Sequence, residues 1–162
     1  MSNPGQELFR EDFENTSYRK YYPGDNFTTS NKLVCSVGGD PQEGALSAEV
    51  AQLPPDAPAA SWGTRALGVY RQVAVDIKFP QSVPAVSFFA HAVRDVDGHQ
   101  VTVFSDQRTV LQIIPIVPSV VWPVTPYQYR APAGQLVGSI RVGTAPDTST
   151  PALWVDNIAG SS

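Results

Sequence analysis

Apolar residues recur at every second position along most of this chain. The clearest case places Leu67, Val69, Val73, Val75, Ile77 and Phe79 on one face and Gly68, Tyr70, Gln72, Ala74, Asp76 and Lys78 on the other, with only Arg71 breaking the alternation. Successive side chains of a β-strand leave opposite faces, so this segment predicts one long half-buried strand. The same reading predicts strands at Leu8–Phe13, Lys32–Val37, Leu46–Leu53, Ala85–Val93, Gln100–Ser105, Thr109–Val117, Tyr127–Ala131, Leu136–Val142 and Leu153–Ile158. Leu46, Val50 and Leu53 also fit one face of a helix. That segment is assigned as a strand because it is short and its neighbours are strands.

Turn chemistry separates these elements. Asp95-Val-Asp97-Gly98 predicts a hairpin turn between two strands, and Ser105-Asp-Gln-Arg108 predicts another, because Asp and Gly accept the backbone angles that such turns demand. Proline cannot donate to a ladder, so Pro54–Ala60 and Pro115–Pro126 read as loops or edge strands. About ten short strands with little helix predict an all-β fold, a two-layer antiparallel β-sandwich, with a closed barrel as the alternative. The 162 residues show no repeat and no interdomain linker, so a single domain over 1–162 is expected.

Composition bounds the fold well and the function poorly. Fifteen prolines and 12 glycines stand against 16% charged residues, which disfavours long helices, while 42% hydrophobic residues suffice to order a core. A net charge of −4 argues against nucleic acid, whose affinity rests on clustered Lys and Arg. The longest apolar region, Val110–Val121, is broken by Gln112, Pro115, Pro118 and Ser119, well short of the ~18 apolar residues of a membrane span. No membrane insertion is therefore expected. Met1–Leu8 has no basic head leading into an apolar run, so no signal peptide is read there. The single cysteine, Cys35, excludes an internal disulfide and a multi-cysteine zinc site, and its apolar surroundings predict a buried, inert thiol.

Catalytic motifs are missing. There is no Gly-x-Ser-x-Gly, and Gly138-Ser-Ile-Arg lies inside a strand pattern. Glycoside hydrolysis needs only two acids at the right distance, so a small glycoside-acting hydrolase is the enzymatic alternative to a protein that is not an enzyme. Asp95, Asp97 and Gly98 resemble a fragment of a calcium loop but lack its remaining ligands, which favours a plain turn. His91 and His99 flank that turn. Without a third ligand at a fixed spacing they read as surface-strand histidines.

Four pieces in order carry a resemblance: Leu8-Phe-Arg-Glu-Asp-Phe-Glu14, Gly44-Ala-Leu-Ser-Ala-Glu-Val50, Val86-Ser-Phe-Phe-Ala-His-Ala-Val93 with Val101-Thr-Val103, and Leu153-Trp-Val-Asp-Asn-Ile158. Together they resemble the first strand, a second-sheet strand, the central pair and the closing strand of jelly-roll β-sandwich modules of the carbohydrate-binding and galactose-binding-like type. The resemblance spans nearly the whole chain and implies one structural calcium, held between the first strand, the loop before the second-sheet strand and the closing Asp. The matching positions are Asp12 or Glu14, Asp40 and Asp156. Such an ion takes about six to eight oxygens from carboxylates and carbonyls. Without the resemblance, the same acids are solvated strand ends.

Aromatic residues carry the binding expectation. Sugar rings present apolar C–H faces that stack on Tyr and Trp, while nearby polar groups meet the hydroxyls. The segment from Tyr18 to Phe27, read as a loop, offers Tyr18, Tyr21, Tyr22, Asp25 and Asn26, and Trp62 follows a proline-rich stretch as a further loop aromatic. Trp122, Tyr127 and Tyr129 form a second group, with the two tyrosines on one strand face, and Trp122 and Trp154 are expected in the core. The alternative is that all of these aromatics fill the sandwich. The function expected is a non-catalytic, lectin-like module that binds carbohydrate outside the cell or at its surface. The alternative is an assembly or adhesion protein that buries apolar strips such as Ile113–Val117 against a protein partner or a second copy.

Overall fold

The computed structural model describes residues 5–39, 47–70, 72–92, 98–143 and 153–162. Thirteen strands follow one another along the described chain: β1 (Glu7–Glu11), β2 (Arg19–Tyr21), β3 (Asn26–Thr28), β4 (Val34–Gly38), β5 (Ala48–Gln52), β6 (Arg65–Val69), β7 (Ala74–Val83), β8 (Ala85–Ala92), β9 (Gln100–Ser105), β10 (Val110–Pro115), β11 (Tyr127–Arg130), β12 (Val137–Gly143) and β13 (Leu153–Ser161). One helical turn, α1 (Ala59–Trp62), lies between β5 and β6. The first sheet runs β11-β8-β13-β6-β5-β2, with β1 also paired to β13, and the second runs β10-β9-β12-β7-β4-β3. Every strand ladder is antiparallel. The expected two-layer sandwich is what forms.

Inward side chains of both sheets meet in one core. Leu67, Val69, Phe88, Leu153 and Val155 from the first sheet pack with Cys35, Val75, Ile77, Val103 and Ile140 from the second, all but fully buried. The segment expected as one strand from Leu67 to Phe79 is two. It turns at Tyr70–Val73, where Gln72 has φ 59°, and passes from β6 in the first sheet to β7 in the second. Alternation survives the corner because both halves present their apolar residues to the same core, so periodicity alone could not reveal the crossing. Val73, Val75, Ile77 and Phe79 are all buried on one face, as the register predicts.

A similar correction applies at Asp95–Gly98. β8 pairs with β11 and β13, and β9 pairs with β10 and β12, so the connection joins two sheets rather than closing a hairpin. Turn residues mark a reversal but not the partner reached after it. Asp95 and Asp97 themselves lie outside the described residues. The Ser105–Arg108 hairpin forms, with Ser105 N–H donating to the Thr109 carbonyl and Arg108 at φ 64°. β5 is a strand that turns Ala48 and Val50 inward.

The two outer faces of the sandwich differ. A second apolar cluster of Leu53, Trp62, Ala66, Trp122 and Trp154 covers the first sheet, built from the segments around α1 and Trp122. Trp62 and Trp122 meet edge to face at 5.0 Å, Trp62 Nε1 donates to the Pro123 carbonyl, and Trp122 Nε1 donates to Asp56. This layer buries Gly68, which the alternation had placed on the polar face: a Cβ there would lie 3.1 Å from the Trp154 ring. On the second sheet, Lys78, Arg141 and Val34 remain exposed, and Arg141 forms a two-point ion pair with Asp76 at 2.8 and 3.3 Å.

Candidate functional site

Acidic residues gather where three strands meet. The leading half of β13 pairs with β6 and its trailing half with β1, along the same edge. Between them lies a register shift after Asp156, with Asn157 at φ 48°. Asp156 therefore sits in the gap between the ends of β1 and β6, fully buried. Its Oδ2 accepts from Asn157 Nδ2 at 3.1 Å, and its Oδ1 has no hydrogen-bond partner among the described residues. Burial pushes this carboxyl up to about 9; the Asn157 N–H opposes the shift, and the charges of Asp12, Glu14 and Glu11 add to it.

The neighbouring acids are occupied. Glu14 Oε1 accepts from the backbone N–H groups of Thr64 and Arg65 at 2.7 and 2.9 Å, and its Oε2 accepts from the Thr64 hydroxyl at 2.6 Å. Burial opposes ionisation of Glu14, but these donors outweigh it and hold its pKa below the usual value. Glu14 thus ties the chain after β1 to the start of β6. Asp12 Oδ1 accepts from Glu14 N–H. Glu11 is fully buried and accepts from Phe13 N–H and Asn31 N–H. Sequence reading did not single out Glu11, yet it shares the parity of the apolar Phe9 and Phe13, and an acid at a core-facing position is itself a signal.

Asp12, Glu14 and Asp156 are thus brought to one junction, while Asp40 lies outside the described residues. The donors suit a hard cation in kind, and the orphaned Asp156 Oδ1 is an acceptor in want of a positive partner. Among the described residues, however, no three His, Cys, Asp or Glu side chains converge closely enough to hold a metal ion.

The tyrosine segment is not a loop. β2 joins the edge of the first sheet and β3 the edge of the second, with Pro23 and Gly24 turning between them. Asp25 closes that turn: Tyr22 N–H donates to its Oδ2 at 2.8 Å and Asp25 N–H donates to the Tyr22 carbonyl. Asn26 opens β3 opposite Ser36. Tyr21 is buried and stacks on Phe27 with centroids 3.8 Å apart, so it offers no ring face to a ligand. Tyr22 stays 47% exposed.

Tyr18 is 52% exposed, and the Arg65 guanidinium lies 4.1 Å from its ring centroid. Arg65 is fixed there by donating to the Thr16 carbonyl. Beside the ring is an open depression of about 380 Å3, lined by Tyr18, Arg19, Lys20, Glu49, Val50, Ala51 and Gln52. Glu49 accepts from the Tyr70 hydroxyl. Sequence reading missed Arg65, Glu49 and Gln52, which reach Tyr18 only through the pairing of β2 with β5 and β5 with β6.

Trp62 is not a loop aromatic: it ends α1 and is fully buried between Trp122 and Phe89. The proline-rich stretch before it folds back onto the sheet, which sequence could not show. Trp122 and Trp154 are buried as expected, but Trp122 packs with Trp62 while Tyr127 stacks on Phe88, so they form no common aromatic group. His91 and His99 are buried rather than surface residues and belong to different sheet regions. His91 lies under Trp122 at 4.1 Å, and burial lowers the pKa of both imidazoles. Cys35 is buried, and desolvation drives its thiol well above the usual range.

No protein-family model and no curated protein matches the chain. Among solved structures it is similar to the exo-beta-1,3-galactanase of Phanerochaete chrysosporium, solved with galactose, at 17% identity and a TM-score of 0.43 over 89% of this chain. This chain spans 29% of the length of that enzyme. It is also similar to the K3 cleaved adhesin domain of Lys-gingipain from Porphyromonas gingivalis, at 14% identity and a TM-score of 0.43 over 97% of this chain and 100% of that one. A third similarity is to CtCBM11, at 14% identity and a TM-score of 0.39 over 99% and 98% of the two chains.

Proposed function

We propose that this chain is a non-catalytic, lectin-like glycan-binding module of the jelly-roll type, with Tyr18 as its sugar platform. The observation that carries the reading is the exposed Tyr18 ring, backed by a fixed guanidinium and bordered by the depression of Arg19, Lys20, Glu49 and Gln52. A pyranose laid on the ring buries its C–H face, while the amide and charged groups beside it exchange hydrogen bonds with hydroxyls. Among the described residues Glu49 is the one carboxylate lining the depression, and hydrolysis of a glycosidic bond takes two, so binding fits better than cleavage. Because the depression is shallow, an affinity in the range of about 10 µM to 1 mM is expected.

A glycan array probed with the full chain tests this reading, followed by titration of the best ligand into Tyr18→Ala and Gln52→Ala. Both variants should lose at least about tenfold in affinity at unchanged melting temperature. Silence across plant, microbial and animal glycans, or full binding by Tyr18→Ala, overturns it.

A structural calcium belongs to the same reading, supported by the orphaned Asp156 Oδ1 and the acids around it. Asp156 and Asp12 would hold the ion together with backbone carbonyls, and the bound charge would offset their mutual repulsion. At a hundred times its dissociation constant such an ion adds about 2.7 kcal/mol. Equal melting temperatures in excess calcium and in chelator, for metal-free protein, retire the ion.

A further inference from the structure

Residues 117–126 lie over the outer face of the first sheet as a strap, and one side chain holds them down. Between Val117 and Pro126, Trp122 alone is buried, while Val117, Val120, Val121 and Val124 are exposed. The strap carries no Asp, Glu, Lys or Arg, so no ion pair assists it. Its other fastenings are single hydrogen bonds: Ser119 N–H donates to the Ala92 carbonyl at 3.2 Å, Trp62 Nε1 to the Pro123 carbonyl and Trp122 Nε1 to Asp56. Both ends are fixed, one by buried Ile116 with its bond to the His99 carbonyl and the other by β11. Segments with so few buried contacts open at far lower cost than the strands beneath them.

Trp122 rests on a histidine. In β8, Ala90 and Ala92 face the core, while Phe89 and His91 face outward, and His91 stands opposite Trp154 of β13. The His91 ring meets the Trp122 ring with centroids 4.1 Å apart. His91 is only 3% exposed, and its Nδ1 has no hydrogen-bond partner among the described residues. A neutral imidazole can leave that nitrogen bare with its proton on Nε2, whereas an imidazolium carries a proton on both. Protonation thus puts a charged donor where no acceptor is placed, which is costly in apolar surroundings. The neighbours do not offset that cost. β13 brings Trp154, α1 brings Trp62 against Trp122, and the strap is uncharged. Among the described residues Asp56 is the one charged group that acts on the ring, and its Oδ2 is taken by Trp122 Nε1.

We infer that residues 117–126 are an acid-released strap: a proton taken up by His91 unseats Trp122 and lifts the segment, while both sheets stay folded. With the strap down, burial lowers the His91 pKa, and the Asp56 charge offsets this only in part. The Trp122 face also attracts a cation, without reversing the shift. With the strap lifted, water reaches the ring and its pKa returns toward ~6.5. The lifted state therefore holds the proton more tightly. Its share grows as pH falls below about 6.5, by at most about tenfold per pH unit, until the lowered pKa is passed. Lifting uncovers Trp62, Trp154 and Phe89, an aromatic surface that is closed at neutral pH. The strap does not depend on the glycan reading, and either can fail without the other.

Hydrogen exchange of the full chain at pH 7.5 and pH 5, corrected for the intrinsic exchange rate at each pH, tests the inference. Protection of the Ser119 and Val121 amides should fall at least about fivefold at pH 5, while the amides of β8 and β13 keep theirs. His91→Phe keeps an aromatic ring under Trp122 that takes up no proton, and the acid response should vanish. Asp56→Asn, an exposed substitution that preserves an acceptor for Trp122 Nε1, removes the charge that favours protonation. Its response should begin at lower pH than the parent's. Equal protection of Ser119 and Val121 at the two pH values overturns the inference. So does an equal loss in β8 and β13, which would mean unfolding of the whole domain. An acid response that persists in His91→Phe, or an unshifted one in Asp56→Asn should the Phe variant not fold, overturns it as well.

Discussion

Asp156→Asn should stabilise the metal-free protein, and increasingly so as pH rises. The buried Asp156 carboxyl is pushed up to about 9, whereas in the unfolded chain it titrates near ~3.9. Between those values the folded state holds a proton that the unfolded state has released. Stability must then fall as pH increases, by at most about 1.4 kcal/mol per pH unit. From pH 5 to pH 8 the loss reaches at most about 4 kcal/mol, a large share of the about 5–15 kcal/mol that holds a domain of this kind together. Asparagine keeps the shape without the charge, so this slope disappears. His91 and His99 act in the opposite sense: burial lowers their pKa values, and the stability tied to their neutral forms is lost as pH falls through the unfolded value near ~6.5. That contribution is common to both proteins and cancels in their difference. Urea unfolding followed by tryptophan fluorescence at pH 5, 6, 7 and 8, with chelator present, measures it directly. Parallel curves, or a variant less stable than the parent at pH 8, would refute the reasoning. Repeating the series with calcium then tests the ion, because a cation on Oδ1 would flatten the parent's slope and leave the variant unchanged.

Gly68→Ala should cost about 1–3 kcal/mol in urea unfolding, since the added methyl meets the Trp154 ring with little room to move. Trp62→Ala should cost about 3–5 kcal/mol and lower the melting temperature sharply, where a loop aromatic would leave it unchanged. Glu14→Ala removes the acceptor of three donors and should cost about 1–2 kcal/mol at pH 7 after solvent screening. Because its pKa is lowered on folding, that difference should fade below about pH 4. Cys35 should resist thiol reagents in the native protein and react at the rate of global unfolding.

Strand positions were legible because a side chain's parity is decided locally, and most expected strands lie within a residue or two of those observed. What parity leaves open is which sheet a strand joins. Leu67–Phe79 alternates with Arg71 as its single break, yet it serves both layers, since each turns its apolar residues to the same core. The covering layer was also invisible. Pro54–Ala60 and Pro115–Pro126 read as loops or edge strands, and only packing shows that they lay Trp62 and Trp122 over the first sheet. Among the tyrosines, sequence proximity grouped Tyr18, Tyr21 and Tyr22, while strand geometry separates them by sending Tyr21 inward and leaving Tyr18 out. Glu49 and Arg65 join Tyr18 by cross-strand register, a relation that no local pattern encodes. The acids at the junction were legible as a motif, and their division into satisfied and orphaned members was not.

The place of β13 has a kinetic consequence. It is the last strand in the chain and the middle strand of its sheet, bonded to β8 on one side and to both β6 and β1 on the other. The first sheet cannot grow by adding each strand to the one before it, because its two halves lack a common neighbour until β13 arrives. During synthesis β1, β6 and β8 therefore wait with open ladders, and the pairing of β1 with β13, out to Glu7 with Ser161, closes the longest loop between paired strands of the described residues. Closing such distant contacts makes for slow folding and a prolonged exposure of unpaired edges. A nascent chain halted before Leu153 has the second sheet's partners in hand, while the first remains two separate ribbons.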